Sequence, residues 1–230
     1  WIPVWRLLEN DFQLRLVNAQ FLKQLPERKS DVKDAEWIAT VLLKELVRDS
    51  FVPDGNIQSL RQYGRRINEI NKDLVRCQQR IDMILQRCNI RLSNYVSNVD
   101  SKSYRKVVDA LIKGESSSCE LVKLVHGRTI NRFSKSIIED ALEGDVKQSD
   151  RDLLEQYTQM LDLYQLQKQQ CVDSMIQKCR ELYPKAFSIL LGICGIDKLS
   201  AAIIISEIGD NMKLFATAAA LVSWAGLRPR

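Results

Sequence analysis

Two aspartates three residues apart, Asp31 and Asp34, are the residues whose types and spacing most directly suggest chemistry. Ser30 before them is a natural helix N-cap, and apolar residues follow at helical spacing, so we expect a helix over about residues 31–48. Residues three apart lie on one face of a helix, and two carboxylates held there could bind a hard divalent cation such as Mg2+. The same acids could instead only stabilise the first turn through the helix dipole, and their spacing alone leaves both interpretations open.

Few other residues could do chemistry. The six cysteines include no Cys-x-x-Cys pair and have no histidine partners, which favours reduced thiols in the cytoplasm over a zinc site or a disulfide framework. His126 is the only histidine, so a Ser-His-Asp or Cys-His site would have to use it. It precedes Gly127, which we expect to end a helix, and we interpret this histidine as structural.

Positive charge is concentrated in one segment. Residues 55–95 hold eight bases and three acids, so their net charge of +5 equals that of the whole 230-residue chain. Such a stripe is typical of a surface for a polyanion such as DNA or RNA, although it could also be only the solvated face of a paired helix. The candidate nucleic-acid-binding residues of this segment are Arg61, Arg65, Arg66, Lys72, Arg76 and Arg80.

A turn with two glycines separates two apolar helical stretches near the end of the chain. It runs from Gly192 to Asp197. The turn amides and the start of the next helix could hold a phosphate, with Gly192, Gly195 and Lys198 as the contacts. The alternative is a plain αα-hairpin buried in a core, and the sequence does not decide between the two.

The elements around the aspartates form an α/β pattern. We expect a helix from Pro3 to about Asn10, and alternating apolar residues predict a short strand over residues 12–17. A helix, a strand, a loop and the aspartate helix are typical of the end of an α/β domain, which we place at residues 1–54. Because the chain begins with Trp1 rather than Met, we expect it to be a piece of a longer protein. The stripe of the aspartate helix that should face a core consists of Val32, Ala35, Ile38, Ala39, Leu42, Leu43 and Leu46.

Residues 55–185 predict a helical insert with two long helices, over about 57–95 and 150–182. Both have apolar residues at coiled-coil spacing, which indicates pairing within the chain or between subunits. Glycines at 114, 127 and 144 should break the shorter helices between them. Residues 186–230 then predict helix, turn, helix and a last helix over 212–224. The heptad residues are Leu60, Ile67, Leu74, Ile81, Cys88 and Tyr95, with Ile70, Cys77 and Ile84 beside them, and later Leu154, Leu161, Met175 and Leu182.

Four separated motifs together resemble one family. They are Trp1-Ile-Pro-Val-Trp, Leu16-Val-Asn, Lys29-Ser-Asp-Val-Lys-Asp-Ala-Glu-Trp-Ile-Ala and Ser223-Trp-Ala-Gly-Leu-Arg-Pro, with the glycine hairpin just before the last. In this order they resemble the insertion-sequence transposases of the DEDD type, which are related to pilin-gene invertases. The resemblance implies a mainly α chain made of three parts. These are the C-terminal piece of an α/β RuvC-like domain (RNase H fold), a coiled-coil insert, and a helix-hairpin-helix-like start of a second catalytic domain.

In that family four acids bind Mg2+, and the last two fall on Asp31 and Asp34, so the resemblance implies that both are catalytic metal ligands. The other two acids would lie before Trp1 and a nucleophilic serine would lie after Arg230, so this piece should be inactive alone. The resemblance also implies DNA strand exchange through a serine–DNA intermediate, guided by a structured RNA, in a homo-oligomer joined by the coiled coil. Further nucleic-acid contacts would come from Arg28, Lys29, Lys33, Arg228 and Arg230.

The glycine hairpin departs from the family's common Pro-Gly-Ile-Gly form. Cys194 and Asp197 occupy the proline and second-glycine places, and an acid at this turn should weaken phosphate binding. Two other functions stay open. One is a non-catalytic coiled-coil module that binds nucleic acid through residues 61–91. The other is a RuvC-type junction nuclease, which needs the same acids but no serine.

Overall fold

The computed structural model of the chain describes residues 1–22, 31–47 and 49–227, and for Phe21 and residues 31–34 it describes the backbone alone. Helices make up nearly all regular structure in these residues, which confirms the expectation of a mainly α protein. The chain divides into two units, Trp1–Asn56 and Ile57–Arg230. None of the helices described is both long and apolar enough to cross a membrane.

In its described residues, unit 1 contains three helices, α1 (Ile2–Leu8), α2 (Ala19–Leu22) and α3 (Asp31–Leu43). The strand predicted over residues 12–17 is not formed. Only Val17 pairs, in an isolated antiparallel bridge with Asp49. A strand is stabilised by a ladder of hydrogen bonds to a neighbouring strand, and the described part of this unit offers no such neighbour.

Helix α3 starts at Asp31 as expected but ends five residues early. Glu45 adopts a left-handed backbone with φ 55°, and the Leu46 N–H donates to the Val41 carbonyl oxygen at 3.1 Å, which closes the helix end. The predicted core stripe is also wrong for the side chains described. Its large members, Ile38, Leu42, Leu43 and Leu46, are 44–85% exposed, whereas Val41 is 4% exposed. No sheet lies within the described residues of unit 1 for the stripe to cover.

Unit 2 is built on two long antiparallel helices, α4 (Gly55–Arg87) and α9 (Gln148–Leu182). Arg87 at the end of α4 forms an ion pair with Asp150 at the start of α9, and Gly64 of α4 faces Met175 of α9. The heptad pattern therefore corresponds to pairing within the chain. Leu182, predicted in the same phase, is 41% exposed. The buried heptad residues are Leu60, Ile67, Ile70, Leu74, Cys77, Ile81, Ile84, Leu154, Leu161 and Met175.

Helix α4 ends at Arg87 rather than near Tyr95. Asn89 has a left-handed backbone with φ 66°, and the Ile90 N–H donates to the Leu85 carbonyl oxygen at 2.8 Å. Asparagine tolerates this conformation better than most residues, so it can end a helix without a glycine. The chain folds back after the turn, so Cys88 remains buried and Tyr95 packs on the same core.

Four short helices cover the Arg87 end of unit 2, namely α5 (Lys102–Ile112), α6 (Ser118–Leu121), α7 (Gly127–Phe133) and α8 (Lys135–Ala141). The prediction that Gly127 ends a helix is wrong. Gly127 opens α7, and His126 is its N-cap, with Nδ1 accepting from the Arg128 N–H at 3.1 Å. Gly144 is required by close packing, because a Cβ there would lie 2.2 Å from the Cys88 carbonyl oxygen.

The chain ends with a helical hairpin and a short helix. Helices α10 (Pro184–Leu191) and α11 (Lys198–Ile208) form the hairpin, and α12 is Ala218–Trp224. The single helix predicted over 212–224 is wrong. Its first residues form a 3-10 turn, and Thr217 then caps α12 by accepting from the Ala220 N–H at 3.2 Å.

Candidate metal and nucleic-acid sites

Asp31 and Asp34 both belong to the first turn of α3, because the helix begins at Asp31. Their spacing of three residues places them on one face of the helix, and Lys33 lies between them in the sequence. The structure describes only the backbone of these three residues. Arg28 and Lys29 lie outside the described residues. The backbone therefore has the arrangement that the metal hypothesis needs, and the roles of these side chains stay predictions.

Two carboxylates are suitable donors for Mg2+ but supply only part of its ligands. Mg2+ prefers six oxygen ligands, usually one or two carboxylates with water and substrate oxygens. Among the side chains described, no cluster of three or more His, Cys, Asp or Glu residues could hold a metal ion. Asp31 and Asp34 therefore have the donor chemistry for two of the six oxygen ligands of Mg2+.

Helix α4 carries exposed bases on the face opposite its buried residues. At about 100° per residue, Arg65, Lys72, Arg76 and Arg80 fall on one face, and they extend over about 22 Å along the axis. We refer to these four residues as the α4 basic face. All four are exposed, and no described residue forms an ion pair with Arg65 or Lys72. Arg76 is 2.9 Å from Asp73, and the Arg80 guanidinium lies over the Tyr157 ring at 5.5 Å.

Arg61 has a different role from the one predicted from its charge. Its Nε donates to the Ser206 carbonyl oxygen and its Nη2 to the Glu207 carbonyl oxygen, both at 2.9 Å. These carbonyls belong to the last turn of α11, where a helix leaves carbonyl groups without partners and favours a cation. Arg61 therefore ties α4 to α11. Arg66 also has partners within unit 2. Its Nη1 forms an ion pair with Glu69 Oε2 at 3.6 Å, and its Nη2 donates to Gln167 Oε1 at 3.2 Å.

The glycine hairpin has the structure of the core-packed alternative. Phe187 of α10 and Ala201, Ala202 and Ile205 of α11 are buried against α4 and α9. Gly195 has φ 90°, as the tight turn requires. Asp197 is the N-cap of α11 and accepts from the Ser200 N–H at 2.7 Å.

The cap of α11 argues against a phosphate clamp at this turn. Hydrogen bonds from Ser200 lower the pKa of Asp197, so its carboxylate is negative at neutral pH. The carboxylate already accepts from the Ser200 N–H, a donor that a bound phosphate would need, and its negative charge repels anions. Gly192, Gly195 and Lys198, the predicted phosphate contacts, lie in or beside this turn, while Arg228 and Arg230 lie outside the described residues.

The junction around Asp150 was not predicted from the sequence. Its Oδ2 accepts from the Lys147 N–H at 3.2 Å, and its Oδ1 bonds the Arg87 guanidinium. Burial alone would raise the pKa of Asp150, but hydrogen bonds from Arg87, Lys147 and the Cys88 thiol outweigh it and hold the pKa below its usual value. Burial, together with Asp150, raises the pKa of Cys88 to about 11. The only signal in the sequence was an acid, Asp150, at the expected start of the second long helix.

Two family models match the chain. The model of the DEDD transposases of the IS110 type matches residues 1–90, and the model described as "Transposase IS116/IS110/IS902 family" matches residues 187–230. The first match includes Asp31, Asp34 and the α4 basic face. No curated protein and no solved structure matches the chain. The chain therefore carries IS110-family transposase domains in its first and last parts, and with them the enzyme class of a transposase.

Proposed function

We propose that this chain supplies two metal-binding acids and a nucleic-acid-binding helix to a transposase that cleaves and exchanges DNA strands. The observation that carries the proposal is the position of Asp31 and Asp34. Both lie in the region matched by the DEDD transposase model, and both lie in the first turn of one helix.

Asp31 and Asp34 would hold Mg2+ together with acids from outside residues 1–230. When bound, the ion would polarise the scissile phosphate and stabilise charge in the transition state. The chain's own contribution is two carboxylates in the first turn of α3. The positive end of the α3 dipole favours their ionised form, which is the form that binds metal.

The α4 basic face would hold the phosphate backbone of the DNA or of a structured guide RNA. Arg65 and Lys72 support this assignment best, since both are exposed and no described acid neutralises them. A serine beyond residue 230 would attack the scissile phosphate, and the resulting serine–DNA ester would conserve the energy of the bond for rejoining. Exposed apolar residues of α9, Leu163 and Leu166, offer a surface through which protomers could associate.

The experiment replaces Asp31 and Asp34 by asparagine in the complete transposase and measures excision of its cognate element in Mg2+. Asparagine keeps the size of the side chain but is a weaker ligand for a hard cation, so excision should be lost. Glu36→Gln is the matched control, because it removes one negative charge from an exposed position on the same helix. Excision that survives the double substitution would refute the metal assignment. The alternative, a non-catalytic nucleic-acid module, instead predicts that the chain binds nucleic acid without Mg2+ and that this binding weakens steeply with salt.

A further inference from the structure

Residues 121–138 contain four bases and no acid, whereas an average stretch of this length in the chain would hold about two acids. One of the bases, Lys123, is paired with Glu120 just before the stretch. The other three, Arg128, Arg132 and Lys135, lie in α7 and at the first residue of α8. We refer to these three residues as the α7–α8 patch.

The three side chains of the α7–α8 patch are exposed, and none forms an ion pair with a described residue. Arg61, Arg66 and Arg76 differ from them, because each forms a hydrogen bond or an ion pair with another residue of unit 2. One member of the patch, Arg132, also packs on an aromatic pair. The Arg132 guanidinium lies over the Phe133 ring at 4.9 Å, and that ring meets the Tyr95 ring edge-on at 5.2 Å.

The placement of these bases is unfavourable for the helices that carry them. Arg128 and Arg132 are four residues apart on one short helix, where like charges repel. Arg128 and Lys135 lie in the first turns of α7 and α8, where the helix dipole disfavours a cation, and neither first turn contains an acid. Stability alone would favour acids at these positions. An anionic partner would relieve both kinds of repulsion.

We propose that the α7–α8 patch binds the phosphate backbone of a nucleic acid, as a second contact beyond the α4 basic face. The proposal rests on the proposed function, because the same nucleic acid would touch both surfaces. The patch lies at the Arg87 end of unit 2, where the Arg91 N–H donates to the Ala141 carbonyl oxygen at 2.8 Å. Exposed Asn131 and Ser136 add neutral donors beside the charges.

The experiment compares two triple variants of the chain by fluorescence anisotropy. Arg128→Ala, Arg132→Ala and Lys135→Ala remove the patch. Lys102→Ala, Lys106→Ala and Lys113→Ala remove the same charge from exposed positions on and just after α5. Each is titrated with a DNA duplex and with an RNA duplex of the same sequence over a range of KCl concentrations.

Removal of the patch should weaken binding about tenfold or more near 0.1 M salt, and should reduce the slope of log affinity against log salt by about 2 to 3. The control triple should change neither by a comparable amount. A larger loss with DNA assigns the patch to the target duplex, and a larger loss with RNA assigns it to a guide RNA. The charge-preserving pair Arg128→Lys and Arg132→Lys should retain binding, which separates lost contacts from misfolding.

An unchanged salt slope in the patch variant would overturn the proposal. An equal loss of affinity in the α5 control variant would overturn it as well. If substitution of the α4 basic face weakens binding while the patch variant does not, only the second contact fails and the proposed function stands. A parent chain that binds neither duplex would refute the second contact and the nucleic-acid-binding part of the proposed function together.

Discussion

Replacing Asp150 should destabilise unit 2 in a pH-dependent way, because one carboxylate joins the end of α4 to the start of α9. The hydrogen bond from the Lys147 N–H is a cap interaction, worth about 1 kcal/mol. The Arg87 side chain is 60% exposed, so solvent screening limits its ion pair to about 1 kcal/mol or less. Asp150→Asn keeps an acceptor for the cap and should cost about 1 kcal/mol, whereas Asp150→Ala removes both interactions and should cost about 2 kcal/mol.

The pH dependence follows from the lowered pKa of Asp150. A carboxylate whose pKa is lower in the folded state contributes stability above its unfolded pKa, and loses it as pH falls through the folded pKa. Both variants should therefore differ from the parent at neutral pH, and the charge-dependent part of the difference should disappear in acid. Urea unfolding followed by far-UV circular dichroism, from about pH 7 to below pH 3, measures this directly.

Asp152→Asn is the control for Asp150, since Asp152 is an exposed acid two residues later whose hydrogen bond comes from Gln148 within the same helix. It should change the free energy of unfolding by less than about 0.5 kcal/mol. Equal stability of Asp150→Asn and the parent at pH 7, or a loss that does not vary with pH, would show that the junction does not depend on this charge.

Three further outcomes are expected. Gly144→Ala should lower the free energy of unfolding by about 1–3 kcal/mol or more, because the new methyl group would collide with the Cys88 carbonyl. Gly127→Ala has open space around the new methyl group and should be neutral or stabilising. Similar melting temperatures for the two variants would contradict this. Arg61→Ala should lower the free energy of unfolding by about 1–3 kcal/mol without changing the salt slope of nucleic-acid binding, because its guanidinium is engaged by the α11 carbonyls. Replacing Arg65, Lys72, Arg76 and Arg80 by alanine should reduce the salt slope of nucleic-acid binding by about 2 to 4, with little loss of helix stability. A slope equal to the parent's would show that the α4 basic face is only a solvated surface.

The buried surface of the long helices could be predicted from the sequence because burial follows the heptad period. Leu60, Ile67, Leu74 and Ile81 are all buried as that period requires. Helix ends could not be predicted equally well. Glu45 and Asn89 take left-handed conformations that the sequence usually marks with glycine, while Gly127 begins a helix instead of ending one. The strand over residues 12–17 failed because pairing depends on a neighbour rather than on local alternation.

The candidate site could be predicted only as far as its position on α3. The start of that helix at Asp31 follows from a cap and a local pattern. The partners of the arginines on α4 depend in part on residues far away in the sequence. Arg61, for example, can donate to the Ser206 and Glu207 carbonyl oxygens only after the chain has folded. The role of Asp197 as a helix cap was visible in the sequence as an acid before an apolar helix. The sequence alone predicts only that this acid weakens phosphate binding.

The long sequence separation between α4 and α11 has a consequence for synthesis of the protein. The start of α4 shares its core with residues near position 200, and Arg61 meets a carbonyl 145 residues later. A ribosome adding about 5–20 residues per second would leave that surface uncovered for roughly 7 to 30 seconds. The core at the Arg87 end lies within residues 81–154 and is complete much earlier. The growing chain should therefore fold from this end first, with the apolar start of α4 open to chaperones until α11 has emerged.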